Sequence, residues 1–146
     1  MAMSRLRRRR DKWVRSGGVV LVETAIILPL LLTLTFGVIE YGWLFLKCQE
    51  ITNAARQGAR VAIRADATTA EARGEVESLL RSAGLGDSGY SVTFEPADVS
   101  FNGVDSGEAV TVRVTVADPG ETVALIGLLP MPSRVGASVA MAKEGP

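Results

Sequence analysis

From Val19 to Ile39 the chain runs for 21 residues with a single charge, Glu23. As a helix rising ~1.5 Å per residue, such a run is about 31 Å long, close to the ~30 Å hydrocarbon thickness of a bilayer. It can cross a membrane once, and that possibility constrains every other reading. The residues in front of it, 1–18, hold seven arginines and lysines and one acid, a net charge of +6. The positive-inside bias keeps that end in the cytoplasm and carries the C-terminal part across. The overall charge of zero therefore hides two opposed pieces, because residues 19–146 hold nine basic and fifteen acidic residues, a net −6. An acidic exported part argues against nucleic acid as a partner, which calls for a basic footprint.

An ordinary secretory signal has a shorter apolar core and ends at a small-residue cleavage site. Here the run ends in TFGVIEYGWLF, with large side chains where a signal protease needs small ones. A twin-arginine signal is a further reading of the arginines at 7–10, but RRRRDKW lacks the continuation. A signal anchor that is never cleaved explains the helix and the basic tail, though not an acid five residues after Gly18. Carboxylates inside an apolar span are costly and are functional suspects by default. The alternative for Glu23 is that it snorkels or is protonated.

Gly18-Val19-Val20-Leu21-Val22-Glu23 resembles the site cut by prepilin peptidase on the cytoplasmic side, after the glycine. The surrounding sequence resembles the TadE-like family of pilin-like proteins from tight-adherence (Flp-type) pilus systems. The likeness runs through VETAIILPLLLTLTFGVIEYGWLF and ITNAARQGARVAIR, and returns more weakly in VTVRVTVADP and VGASVAMA. Major Flp pilins commonly carry an aromatic residue after the glutamate, where this chain has Thr24, and they are much shorter. The resemblance therefore implies a minor pilin or pseudopilin of a type IV-like pilus, acting in pilus assembly or surface adherence. Its implied partners are the membrane, prepilin peptidase, other pilins and pilus assembly platform proteins, with no small-molecule substrate. The other reading is an uncleaved single-pass accessory or binding protein with an extracytoplasmic domain. Either reading places the chain in the bacterial cytoplasmic membrane, N-terminus inside and C-terminal domain outside, and the first also allows a place in the surface pilus.

The site has its own chemical logic. Glycine suits a scissile position because it adopts backbone conformations closed to other residues. Cleavage would leave Val19 with a free α-amino group and Glu23 as the fifth residue of the mature chain. Glu23 lies just over one helical turn away along the axis, too far for an easy bond within one chain. A neighbouring subunit displaced along the axis could supply the amine and so set the stagger between subunits. Pro29, inside the span, removes one backbone bond and predicts a mild kink or a hinge.

Beyond the span, Glu40-Tyr41-Gly42 marks the exit, and Tyr41, Trp43 and Phe45 are belt residues for the outer interface. At 100° per residue, Ala55, Gly58, Ala59 and Ala62 stay within about 80° of Ile51, while Arg56, Arg60 and Arg64 fall opposite. The slim face can pack on the chain's own domain or on a neighbour, and the arginines can be a solvated face or bind acidic neighbours. Glu23, Pro29, Glu40, Arg56, Arg60 and Arg64 are the assembly candidates.

The spacing divides the chain into a basic leader at 1–18, a membrane helix with its continuation at 19–64, and a small exported domain at 65–146. Thr68 and Glu71 predict a capping box, Ala72, Val76, Leu79, Leu80 and Ala83 one apolar helix stripe, and Gly84 its stop. Strands are expected around Tyr90–Phe94, Val110–Val116 and Val135–Met141, with turns at Asn102-Gly103 and Asp118-Pro119-Gly120. The fold class is α+β: a long N-terminal transmembrane or spine helix, then one helix on a short antiparallel sheet. Val123–Met131, an apolar patch too short to span, reads as core, outer-leaflet contact or docking surface, with core favoured.

No enzyme is expected. With no histidine in the sequence, catalytic triads and His-ligated metals are excluded, and no phosphate loop or dinucleotide fingerprint occurs. Neither metal nor cofactor is implied. Cys48 is the one cysteine, so an internal disulfide is impossible.

Overall fold

The computed structural model describes residues 10–97, 101–127 and 129–145, with the side chains of 10–17, 102 and 122 left aside. The leader before Arg10 lies outside the described residues. Helix α1 spans Arg10–Ala62 and α2 spans Thr69–Ser82; strands β1 (Tyr90–Glu95), β2 (Ala109–Ala117) and β3 (Arg134–Ala142) follow, with a short helix α3 (Pro119–Thr122) between the last two. The expected α+β class is what is seen. The chain divides into two compact units, one ending at Ile39 and one beginning at Glu40. The helical residues after Ile39 thus belong to the same unit as the sheet, whereas the sequence pattern set that domain apart from Ala65 onward.

In the first unit, the apolar side chains from Val19 to Ile39 point outward all around the helix and stay exposed. A helix apolar on every side needs apolar surroundings, and this is the one described helix long and apolar enough to cross a membrane. Its hydroxyls are satisfied internally: Thr24, Thr33 and Thr35 each donate to the carbonyl four residues back at 2.8 Å. That leaves no hydroxyl donor seeking water in a lipid phase. The helix continues through Pro29, whose carbonyl takes the Thr33 bond.

The second unit is built on the slim face of α1. Ile51, Ala54, Ala55, Ala59 and Ala62 are buried in one cluster with Ala72, Val76 and Leu80 of α2 and the inward side chains of the sheet. A Cβ on Gly58 would lie 2.3 Å from Val76 Cγ2 and 3.6 Å from Val112 Cγ1, so α2 and β2 close on α1 where it has no side chain. Of the two readings of this face, packing on the chain's own domain is the one observed. Arg56, Arg60 and Arg64 are exposed, as a solvated face would be.

The local signals for α2 act as expected. Thr68 Oγ1 accepts from the Glu71 N–H at 3.2 Å and Glu71 Oε2 from the Thr68 N–H at 3.0 Å, the reciprocal capping box. At the other end Gly84 has φ +72°, and the Leu85 N–H reaches Leu80 O at 2.8 Å, a Schellman ending with both leucines buried. The sheet is an antiparallel meander in the order β1-β2-β3. Val92 faces Val114 and Phe94 faces Val112 in β1–β2, while Val114 faces Ala137 in β2–β3. Val110, Val112, Val114 and Val116 are all fully buried, and burial of such a side chain contributes roughly 1.5–3 kcal/mol. The expected turn at Asn102-Gly103 is a 3-10 turn over Phe101–Gly103, and Phe101 packs edge-on against Phe94 with centroids 5.5 Å apart. Asp118-Pro119-Gly120 does not simply reverse the chain. It opens α3, because proline is preorganised for the first helical position and Asp118 takes the left-handed conformation at φ +48°.

Two glycines test this packing. Gly58→Val should destabilise the second unit by about 1–3 kcal/mol through overpacking. Gly74→Ala, at a helical site where a Cβ meets nothing within 4 Å, should leave stability equal or raise it by about 0.5–1 kcal/mol. Denaturant titration of the full chain in detergent micelles, followed by tryptophan fluorescence, measures both.

Candidate functional site

The first group of interest is Gly18, Val19 and Glu23. All three lie within α1, exposed, and a Cβ on Gly18 would meet nothing within 4 Å. Gly17 and Gly18 together are the weakest helix formers in this part of α1, each less favourable than alanine by about 1 kcal/mol. The helix is therefore easiest to open at the expected scissile bond. Glu23 meets no hydrogen-bonding or ionic partner among the described residues. Its carboxylate is available to a group from elsewhere.

The second group begins one residue after the apolar run. Glu40 is 1% exposed, and its carboxylate accepts backbone N–H bonds from Leu125 (3.0 Å), Ile126 (2.9 Å) and Gly127 (3.3 Å). Three successive N–H groups converging on one anion form a concave backbone site of the kind that holds anions elsewhere. Gly127 at φ +71° supplies the turn that aims the third N–H. Trp43 Nε1–H donates to Val123 O at 3.0 Å and Tyr41 O–H to Pro130 O at 3.2 Å. Residues 40, 41 and 43 thus clasp the loop at 123–130 from one side of α1. Glu40 meets this loop within its own chain, and its carboxylate is turned inward. Trp43, expected as a belt residue, is half-buried in the same clasp, while Tyr41 and Phe45 remain exposed.

Two buried lysines complete the tethering, and neither stood out in the sequence. Lys47 donates to Ala83 O at the end of α2, forms an ion pair with Glu50 at 2.8 Å, and stands 4.8 Å from the Trp43 ring. Lys143, just past β3, donates to Ala62 O and Arg64 O at the end of α1. Each ammonium meets carbonyls at the end of a helix, where the dipole is negative, a favourable placement for a cation. A lysine far away in sequence gives no signal of such a role. The only clue was that Lys47 and Lys143 lie in otherwise apolar or small-residue stretches.

The patch Val123–Met131 divides. Val123 is core, Leu129 and Met131 are half-buried, and Leu125 and Ile126 are each 49% exposed. The favoured expectation of core therefore holds at Val123 and fails at Leu125 and Ile126, because the bonds to Glu40 hold the backbone inward and turn those side chains out. Arg56, Arg60 and Arg64 carry no ion pair among the described residues. Cys48 is half-buried, and burial pushes its thiol above the usual range, which suits a space-filling residue better than a nucleophile. Among the described residues, no three His, Cys, Asp or Glu side chains gather where they could hold a metal ion.

Residues 18–60 resemble one known family. They match the family model described as TadE-like protein, a family associated with tight-adherence pili. The TadE-like segment begins at the glycine of the expected cleavage site and ends within the slim face of α1, under a third of the chain. The weaker likenesses in β2 and β3 fall outside it. Comparison with curated proteins and with solved structures gives no match.

The clasp makes a direct prediction. Hydrogen bonds to a charged group contribute about 1.5–3 kcal/mol, so Glu40→Ala should cost the second unit about 2 kcal/mol or more. Hydrogen exchange at the amides of Leu125–Gly127 should accelerate strongly, while the exposed-site variant Glu121→Ala should leave both readouts near wild type.

Proposed function

We propose that this chain is a minor pilin or pseudopilin of a Tad/Flp-type pilus, cut by prepilin peptidase between Gly18 and Val19 and acting in pilus assembly or surface adherence. The observation that carries the reading is the coincidence at residue 18: the TadE-like segment, the apolar run and the glycine–glutamate spacing all start there. The basic leader stays in the cytoplasm, where the peptidase works, and the second unit is exported. Cleavage leaves an α-amino group on Val19, and Glu23 offers an exposed carboxylate with no partner among the described residues. In a bundle of such helices a staggered neighbour supplies the amine. The ion pair then fixes the axial offset between subunits, and breaking one member of such a pair in apolar surroundings is costly.

Other exposed features suit the same assembly. Pro29 leaves the carbonyl of Ala25 without its backbone donor, which makes that turn the easiest place for α1 to bend as it leaves the bilayer. Arg56, Arg60 and Arg64 form a basic stripe on a part of the chain that is acidic overall, a complementarity between copies or with other pilins and platform proteins. Glu40 enters this picture as a residue that shapes the exported unit. An uncleaved single-pass anchor remains the alternative, and it makes no use of Gly18 or Glu23.

Mass spectrometry of the N-terminus in cells that make the peptidase separates the two. The pilin reading expects Val19 as the first residue and a full-length, membrane-held product for Gly18→Leu. Recovery of Met1 or Ala2 as the only N-terminus of the native protein would leave the anchor reading. A second variant, Glu23→Gln, keeps shape and polarity without the charge. It should be cleaved and inserted normally but be poorly recovered with sheared pili or cross-linked partner pilins.

A further inference from the structure

Beyond Ile39, the large apolar side chains that stand exposed among the described residues are Tyr41, Phe45, Leu46, Leu125 and Ile126. None comes from α2 or the sheet. Three lie in the two turns of α1 that follow the apolar run, and two lie in the loop that Glu40, Tyr41 and Trp43 clasp. The exposed apolar surface of the second unit is thus gathered at the place where the membrane helix ends.

We propose that this loop is a lipid-contacting element: Leu125 and Ile126 insert into the headgroup and acyl boundary of the membrane from which α1 emerges. The inference rests on the membrane reading of Val19–Ile39 and is independent of pilus assembly.

The hydrogen bonds make the insertion chemically possible. Backbone N–H groups entering an apolar phase without acceptors are costly, and so is a carboxylate. Here the N–H groups of Leu125, Ile126 and Gly127 and the carboxylate of Glu40 satisfy each other, and Glu40 is 1% exposed. The N–H groups of residues 125 and 126 are thus bonded inward while their hydrocarbon side chains face out. An acid placed one residue past a span of about 31 Å, at ~1.5 Å per residue, sits at the edge of the hydrocarbon, where the loop's carbonyls can still reach headgroups and water. Tyr41 and Phe45 stand in the same zone, where aromatic side chains favour the interface. A second copy of the chain could instead cover Leu125 and Ile126, but the shared location with the exit of α1 favours lipid.

The test uses the full chain, with Cys48→Ala as background, in phosphatidylcholine and phosphatidylglycerol vesicles. An environment-sensitive NBD label is attached through Ile126→Cys, Leu125→Cys, Ser91→Cys on exposed β1, or Leu31→Cys inside the apolar run. Lipids carrying a doxyl group near the headgroup should quench the labels at 125 and 126 at least threefold more than the label at 91. Lipids with the doxyl group deep in the acyl chain should quench the label at 31 most. Quenching at 125 and 126 no greater than at 91, with the label at 31 still quenched, overturns the proposal and leaves the membrane helix standing. A blue-shifted label at 126 that escapes the doxyl lipids and responds only to a higher protein-to-lipid ratio overturns it in favour of a contact between copies. An unquenched label at 31 removes the membrane reading and the proposal together.

Discussion

The second unit depends on how closely α2 and β2 can approach α1, and that approach is permitted by a run of small residues. With Ala55, Gly58, Ala59 and Ala62 along one side, the backbone of α1 becomes part of the core, and Val76 and Val112 occupy the space a side chain at 58 would need. A domain this small, with three strands, α2 and the one-turn α3 among its described residues, has little core of its own to offer. It draws on the slim face of the helix that also provides the candidate membrane span. One continuous helix thus changes character along its length, from exposed apolar side chains all around before Ile39 to a buried slim face opposite exposed arginines at 51–62.

Three buried charges bind that helix to the rest of the unit. Glu40 holds the 123–127 loop, Lys47 holds the end of α2, and Lys143 holds the end of α1 itself. Each reaches backbone groups that no regular secondary structure would satisfy, so each converts a potential liability into a tether. The tethers are spread along the whole helical stretch of the unit, from residue 40 near the apolar run to the carbonyls at 62 and 64.

Most of the fold was legible in the sequence, for reasons that are local. The alternating valines of β2, the Thr68–Glu71 box and Gly84 act within a few residues, and the structure uses each as the pattern implied. The amphipathic face at 51–62 was legible too, though whether its cover was its own domain or a neighbour was not, since periodicity says which side is apolar and nothing about what lies against it. The long-range polar contacts escaped for the same reason. Glu40 lies 85 residues from Leu125, and Lys143 lies 81 from Ala62. Glu40 was singled out for its place at the exit, but its partners are backbone N–H groups, which every residue but proline carries and which leave no mark in a sequence. The expectation of core failed at Leu125 and Ile126 because hydrophobicity marks what prefers to leave water and does not say which side chains of a loop its backbone bonds will turn inward.

The central structural claim is that α1 beyond Ile39 is an integral part of the second unit's core. Two fragments, residues 40–146 and residues 65–146, can be compared by amide chemical-shift dispersion and cooperative unfolding in mild detergent. The account expects the first to give a dispersed spectrum and a single cooperative transition, and the second, stripped of the Ile51–Ala62 face and the carbonyls that receive Lys143, to be largely unfolded. A fragment of residues 65–146 that folds cooperatively, with stability equal to the longer one, would contradict it.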